Sequence, residues 1–403
     1  FMMTSLSTQS ATAQETGTII IVTVDYPTIQ SAINSIPMWN TNYYTIEVQP
    51  GTYSECVIIE NRNNITLVSQ VPHGAKIIAP NASNKKPVDI HGAPGNIIEN
   101  IVFEGFSIDG NAANQTAGEY HHGISVDYAR NVTIIGNYVT RTHPYHVHNT
   151  GGSVINVYPN AEHVNILNNE INDIGDRCIQ VSGERILIEN NRLTNGYDRG
   201  VSWDLLYEGD SAWHLARHLI IKNNHIENLS TGSGIKGRGS PSSTDHVENM
   251  WITGNTLKNC SHGGVGLGYT SGPEPDAGIA DPDGDITVEN NYIESCGAAS
   301  FGGGCIYVLQ SGLISKRISI ENNTIVIGSV TDPAITITPT PGASGTNSLP
   351  CSIIGNTIIS GASAKQSLRF KNVQYVWAEN NNFYGLFESL ASLDGTYSCE
   401  VLN

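Results

Sequence analysis

Charge is scarce in this chain, and positive charge scarcest of all. Only 14% of its 403 residues are Asp, Glu, Lys or Arg, with 20 Lys plus Arg against 37 Asp plus Glu. The resulting net charge of −17 repels phosphate backbones and argues against nucleic acid as a partner. A polyanionic substrate is compatible with this field only where folding assembles a local basic patch. Long apolar runs are also missing. None approaches the roughly 18 residues that a membrane-spanning helix requires, so no membrane span is expected. Sparse charge together with abundant Asn, Gly, Thr and Ser argues against both a helical protein and a disordered one.

What is present is a repeat. The segments VTIIGNYVT, VNILNNEIN, ILIENNRLT, LIIKNNHIE, MWITGNTLK, ITVENNYIE, ISIENNTIV, CSIIGNTII and VWAENNNFY align on Asn137, Asn169, Asn191, Asn224, Asn255, Asn291, Asn323, Asn356 and Asn381. Their spacing of 22 to 36 residues is that of a solenoid coil. Each segment alternates apolar and polar residues, passes through Asn-Asn or Gly-Asn, then alternates again. Two short strands meeting at a tight bend produce this pattern. Asn tolerates the left-handed backbone of such a bend, and its amide can bond its counterpart one coil away.

A further strand precedes each bend: GISVD, VINVY, CIQVS, GVSWD, GIKGR, GVGLG, CIYVL, AITIT and SLRFK. Three strands per coil describe a single-domain, all-β parallel β-helix over residues 17–403. Alternation points Ile124, Val126, Ile179, Val181, Val201, Trp203, Ile235, Val265, Leu267, Ile306 and Val308 into its core. The helical spacing of Ile29, Ala32, Ile33 and Ile36 predicts an amphipathic helix over 28–37, suited to capping the first coil. Residues 1–16 read as a signal-peptide remnant or disordered terminus, with Ala-Thr-Ala (Ala11 to Ala13) as a cleavage pattern. Export to the cell exterior or surface is the corresponding expectation. Among seven cysteines, Cys260 and Cys296 each fall five residues beyond an aligned Asn, so they should stack as either a disulfide or a pair of buried thiols.

From IEVQPGTYSECVIIENRNNITLVSQ onward, the chain resembles the pectin-lyase-like superfamily of right-handed parallel β-helices. That likeness implies a fold, not a reaction. The QDT and DFIFG motifs of pectinesterases and the NTD and RIK motifs of polygalacturonases are missing. The coil repeats, with YDRGVSWDLLYEGDSAW and GGVGLGYTSGPEPDAG, also resemble archaeal disaggregatase-type proteins. This second likeness implies degradation of a matrix polysaccharide rich in uronate and hexosamine.

Candidate chemistry lies on the outward positions of the strand before each bend, where side chains of successive coils form a ladder. Its middle rungs carry Ser125 and Asp127, Asn156 and Tyr158, Gln180 and Ser182, Ser202 and Asp204, Lys236 and Arg238, then Gly266 and Gly268, the glycines leaving room for a ligand. Asp-Arg recurs just before two consecutive rungs, at Asp176-Arg177 and Asp198-Arg199. Either it forms a salt-bridged turn or it serves substrate. An insert over about 204–218 adds Tyr207, Glu208, Trp213 and His214, and sugar rings stack on such aromatic side chains.

Two routes to polysaccharide cleavage follow. Hydrolysis needs paired carboxyl groups, one protonated and one ionised, for which Asp198 and Asp204 are the candidates. β-Elimination needs a base beside a neutralised uronate carboxylate, for which Lys236 and Arg238 are the candidates. The remaining named residues would bind substrate. Hydrolysis is placed first, and a glycan-binding surface or tailspike-like protein without turnover is the rival. No cofactor is required. His121, His122, His143, His146 and His148 form a His-rich patch without a metal motif, and Asp281, Asp283 and Asp285 offer calcium ligands without the distal Glu of a full loop.

Overall fold

The computed structural model describes residues 17–81, 85–115, 122–142, 152–206, 213–237, 248–267, 285–297, 304–310, 317–328, 333–339, 347–371, 373–394 and 400–402. Among them the chain is almost entirely β. A 14-stranded sheet and a 22-stranded sheet are built from parallel pairings between successive coils. The larger sheet contains two strand columns, so each full coil contributes three strands to three parallel faces. One short antiparallel ribbon, Asp204–Leu206 with Trp213–Leu215, projects from the insert. Among the described residues no helix is long and apolar enough to cross a membrane.

The Asn repeat explains the coil geometry, with one correction to the sequence reading. The left-handed conformation and the amide stacking belong to different residues. In each Asn-Asn pair the first member takes positive φ, as at Asn168 (54°), Asn190 (57°) and Asn223 (56°), and Gly136, Gly254 and Gly355 do the same in Gly-Asn pairs. The second member turns inward and is buried. There each amide donates to the Oδ1 of the next coil's Asn, at 3.0 Å for Asn191 to Asn224 and for Asn224 to Asn255. It also reaches a backbone carbonyl of the preceding coil, as Asn224 does to Ile188 O at 2.9 Å. The ladder runs from Asn137 to Asn381 and satisfies bend groups that would otherwise be buried without partners.

All eleven residues assigned to the core from alternation are fully buried. Ring packing also dictates one glycine. The Trp203 indole lies across the next coil, where a Cβ on Gly237 would come within 2.2 Å of Cδ2. The helix observed is Ile29–Ser35, capped by Thr28, and it buries Ile29, Ala32 and Ile33. Cys260 and Cys296 stack as expected, with Cys260 N 3.4 Å from Cys296 Sγ, and both are free thiols. Thr256–Cys260 is paired in register with Tyr292–Glu294, which aligns the two sulfurs along the core.

Candidate polysaccharide-binding face

The outward ladder forms as the alternation predicted. Ser125 pairs with Asn156, Asn156 with Gln180, Gln180 with Ser202, Ser202 with Lys236, Lys236 with Gly266, Gly266 with Tyr307, Tyr307 with Thr336, and Thr336 with Arg369. Rungs of a parallel sheet are about 4.8 Å apart, so residues distant along the chain share one surface. One expectation is overturned. The space above Gly266 is filled by the Tyr307 ring, which a Cβ there would meet at 2.3 Å. The glycine admits a tyrosine of the next coil rather than a ligand. Gly268 lies outside the described residues.

Beside rungs 180 to 236, the two Asp-Arg turns come together. Asp198 N donates to Asp176 O at 3.1 Å, which stacks the turns on consecutive coils. The Asp198 carboxylate lies 3.4 Å from Arg199 Nε and 3.7 Å from Arg177 Nε. The next coil continues the column with Gly232, packed directly on the Asp198 backbone, and then His262, whose N–H donates to Gly232 O at 3.0 Å. Lys236 is buried, with Nζ 5.8 Å from the Tyr307 ring centre.

Burial pushes the Asp198 carboxyl up, but Arg199, Arg177, Lys236 and His262 together hold it below the ordinary carboxylate range. Asp198 is therefore a carboxylate at neutral pH. That form suits it to act as base, nucleophile or anchor rather than as the general acid. Burial and the nearby Lys236 hold His262 below its ordinary value, so its ring favours the neutral form. Nothing in the composition pointed to His262. Its link to Asp198 arises only when Gly232 brings the two coils into contact.

A second group of polar side chains occupies the same face toward the N-terminus. Asp89, one rung before Ser125, accepts from Ser125 Oγ at 2.5 Å and faces Lys86 Nζ and His91 Nδ1, each at 3.4 Å. Burial opposes its ionisation, but the hydrogen bond with His91, the charge of Lys86 and the Ser125 hydroxyl bring its pKa to about 2. Tyr158 lies beneath Lys86 Nζ, 5.2 Å from the ring centre, and its hydroxyl is 3.3 Å from His122 Nε2. Asp127 accepts from Tyr128 N and from Asn160 Nδ2 beside it. Of the sites named from sequence, Asp176, Arg177, Asp198, Arg199 and Lys236 thus gather at one place, while Asp127 and Tyr158 join the N-terminal group. Asp89, Lys86 and His91 were not foreseen. Their signal was the ladder position of Asp89, one coil before the first rung considered.

Tyr207, Glu208 and Arg238, and the side chains of Asp204, Trp213 and His214, lie outside the described residues. So do His121, His143, His146, His148, Asp281 and Asp283. Among the described residues, no group of three or more His, Cys, Asp or Glu side chains is arranged to hold a metal ion.

No family model matches the chain, and no curated protein matches it in sequence. Solved structures do. The A-module of Azotobacter vinelandii mannuronan C-5 epimerase AlgE4 superposes with a TM-score of 0.65 at 16% identity, covering 93% of this chain and 94% of the module. The catalytic domain of a GH87 α-1,3-glucanase in complex with nigerose gives 0.59 at 14% identity, over 96% of this chain and 70% of that one. The Dettilon tailspike protein gives 0.59 at 15% identity, over 88% and 63%. Parallel pairing throughout both large sheets and three strand columns per coil, together with these superpositions, give the chain the right-handed parallel β-helix fold.

Proposed function

We propose that the chain is an extracellular or surface-displayed enzyme that cleaves glycosidic bonds of an anionic, uronate-containing polysaccharide. The observation that carries this reading is the gathering of Arg177, Arg199 and Lys236 around Asp198. In a protein of net charge −17, a local excess of cations on an otherwise polar face provides the basic patch that a polyanionic substrate needs. A mannuronan epimerase and an α-1,3-glucanase among the structural neighbours support a polysaccharide-acting role.

In the hydrolytic route Asp198 acts as the ionised carboxylate and Asp204 as the proton donor to the leaving oxygen. Arg177 and Arg199 then bind the uronate carboxylate, and Asp127, Tyr158, Asp176, Tyr207, Glu208, Trp213 and His214 line the path of the chain. The position of Lys236 favours a second reading. An amine beside arginines that neutralise a uronate can abstract the proton next to that carboxylate, with Arg238 assisting, and β-elimination follows. Calcium at Asp281, Asp283 and Asp285 would serve structure rather than either route.

The test is incubation with uronate-containing and neutral polysaccharides, followed by mass spectrometry of the fragments. Hydrolysis adds water and leaves a saturated new end, whereas elimination leaves an unsaturated uronate that absorbs ultraviolet light. Loss of cleavage in Asp198→Asn with retention in Lys236→Ala supports the hydrolytic route, and the reverse supports elimination. Binding without any product would make the protein a glycan-binding surface module, as the rival reading holds.

A further inference from the structure

Lys236 stands at the C-terminal edge of the cationic cluster, and its two ladder neighbours do not hold it. Those neighbours are Ser202 and Gly266. The Ser202 hydroxyl is buried without a hydrogen-bond partner, so it does not receive the ammonium, and Gly266 offers no side chain. A lysine carries its charge on a flexible four-carbon stem. Lys236 also lies among like charges, since Arg177 and Arg199 flank the same Asp198 carboxylate. Yet Lys236 is buried, so its head has a defined place in the fold.

That place is beside Tyr307. Tyr307 pairs with Gly266 and therefore stands two rungs beyond Lys236, but its ring is laid back toward the lysine. A Cβ on Gly266 would run into Cζ and Oη of the ring, and one on Gly263 would meet Cε1 at 3.0 Å. Two bare positions on one strand thus make a slot for the ring. At its far end the Tyr307 hydroxyl lies 3.4 Å from Ser233 Oγ, on the same strand as Lys236. The ring is buried and takes no part in the exposed surface. Lys236 Nζ is over it, 5.8 Å from its centre, within the range where a ring face attracts an ammonium. Asp198 draws the charge from the N-terminal side of the cluster, and the ring draws it from the C-terminal side.

Resting on the reading that the cationic cluster binds a uronate, we propose that Tyr307 is a positioning residue. Its ring, lodged over Gly263 and Gly266, fixes Lys236 as the third cation of the carboxylate seat beside Arg177 and Arg199. Affinity for anionic sugars then depends on an aromatic ring that the sugar does not touch. The glycines at 263 and 266 serve the same end by keeping the slot open.

The test is calorimetric titration of the whole chain with polygalacturonate, alginate and hyaluronan oligosaccharides. Tyr307→Leu removes the ring, Gly266→Ala pushes it from its slot, and Tyr307→Phe keeps the ring while losing the hydroxyl. Each is made alone and in a Lys236→Ala background. The first two should weaken binding by about threefold to tenfold, and the third by less than about twofold. Once Lys236 is gone, none should weaken binding further, because a positioning residue acts only through the group it positions. A mere loss of packing would weaken binding equally in both backgrounds. In the free protein the ε-methylene protons of Lys236 should show an upfield ring-current shift that survives in Tyr307→Phe and vanishes in Tyr307→Leu. If the wild type binds but Tyr307→Leu and Gly266→Ala bind as tightly, or weaken equally without Lys236, or the ring-current shift is absent, the positioning role is refuted and the uronate reading stands. If the wild type binds none of the three, the uronate reading fails and the carboxylate seat with it.

Discussion

Replacing Asn224 by Ala tests the physical basis of the solenoid. The Asn224 amide donates to Ile188 O at 2.9 Å, and to Asn255 Oδ1 and Lys222 O at 3.0 Å. Its Oδ1 accepts from Asn191 N at 2.9 Å and from Asn191 Nδ2 at 3.0 Å. Truncation leaves the Asn191 N–H buried without a partner, at a cost of about 1–3 kcal/mol, and removes the other four hydrogen bonds. The three donated by Nδ2 share its two protons and are worth about 1 kcal/mol per proton, while Asn191 Nδ2 keeps Ile166 O at 2.8 Å. The sum is roughly 3–5 kcal/mol. Asn223, one residue earlier, supplies only the left-handed bend, with φ of 56°. Glycine takes that conformation freely, so Asn223→Gly should cost less than about 1 kcal/mol. Because a solenoid need not unfold in one step, the assay of choice is native-state hydrogen exchange. In Asn224→Ala the amide protons of Asn191 and of the two flanking coils should lose about two to three orders of magnitude of protection, while distant coils keep theirs. Equal effects of the two substitutions, or full protection at Asn191 in Asn224→Ala, would refute the division of labour between bend and ladder.

The other predictions concern the face and the core. Asp198→Asn should abolish turnover. It should also destabilise the fold by about 2 kcal/mol in urea titration, less than for a fully buried pair because the carboxylate is 29% exposed. A variant as stable as wild type would mean that Arg177 and Arg199 do not depend on that charge. The Asp89 carboxyl is lowered from 3.8 to about 2 in the folded state, so its stabilisation is complete above pH 4. It is lost as pH falls from about 4 toward 2, amounting to roughly 2 kcal/mol. Asp89→Asn should flatten that part of the stability profile, and an unchanged profile would count against the Ser125, Lys86 and His91 contacts. Gly237→Ala drives a methyl into the Trp203 indole and should cost about 1–3 kcal/mol by thermal melting. The same change in a Trp203→Leu background should cost much less.

Much of the architecture is local in origin and was therefore readable from sequence. Alternation over a few residues decides which side chains face inward, and Asn-Asn or Gly-Asn decides where the backbone bends. These features predicted the three strands of each coil, the buried rows through Ile179, Val201 and Ile235, and the alignment of Ser125 through Arg369. The division of roles within Asn-Asn was not readable, because two adjacent asparagines are chemically alike until the coil beneath selects which one is buried.

The site shows the same boundary. Asp176-Arg177 and Asp198-Arg199 stood out as a repeated pair, but repetition alone could not distinguish a mutually neutralising turn from a cationic cluster. That depended on Lys236, brought beside Asp198 by the stacking of a later coil. The room predicted above Gly266 was filled by Tyr307, a residue 41 positions later whose ring direction no local pattern encodes. The pKa of Asp89 likewise depends on Ser125, a full coil away at a separation of 36 residues. The amino-acid order by itself determined the period, the bends and the inward and outward faces, since each is set by interactions within a few residues. Which outward side chains share charge, fill one another's space or are left without partners was decided by tertiary stacking, because those energies act across coils between groups remote in the chain.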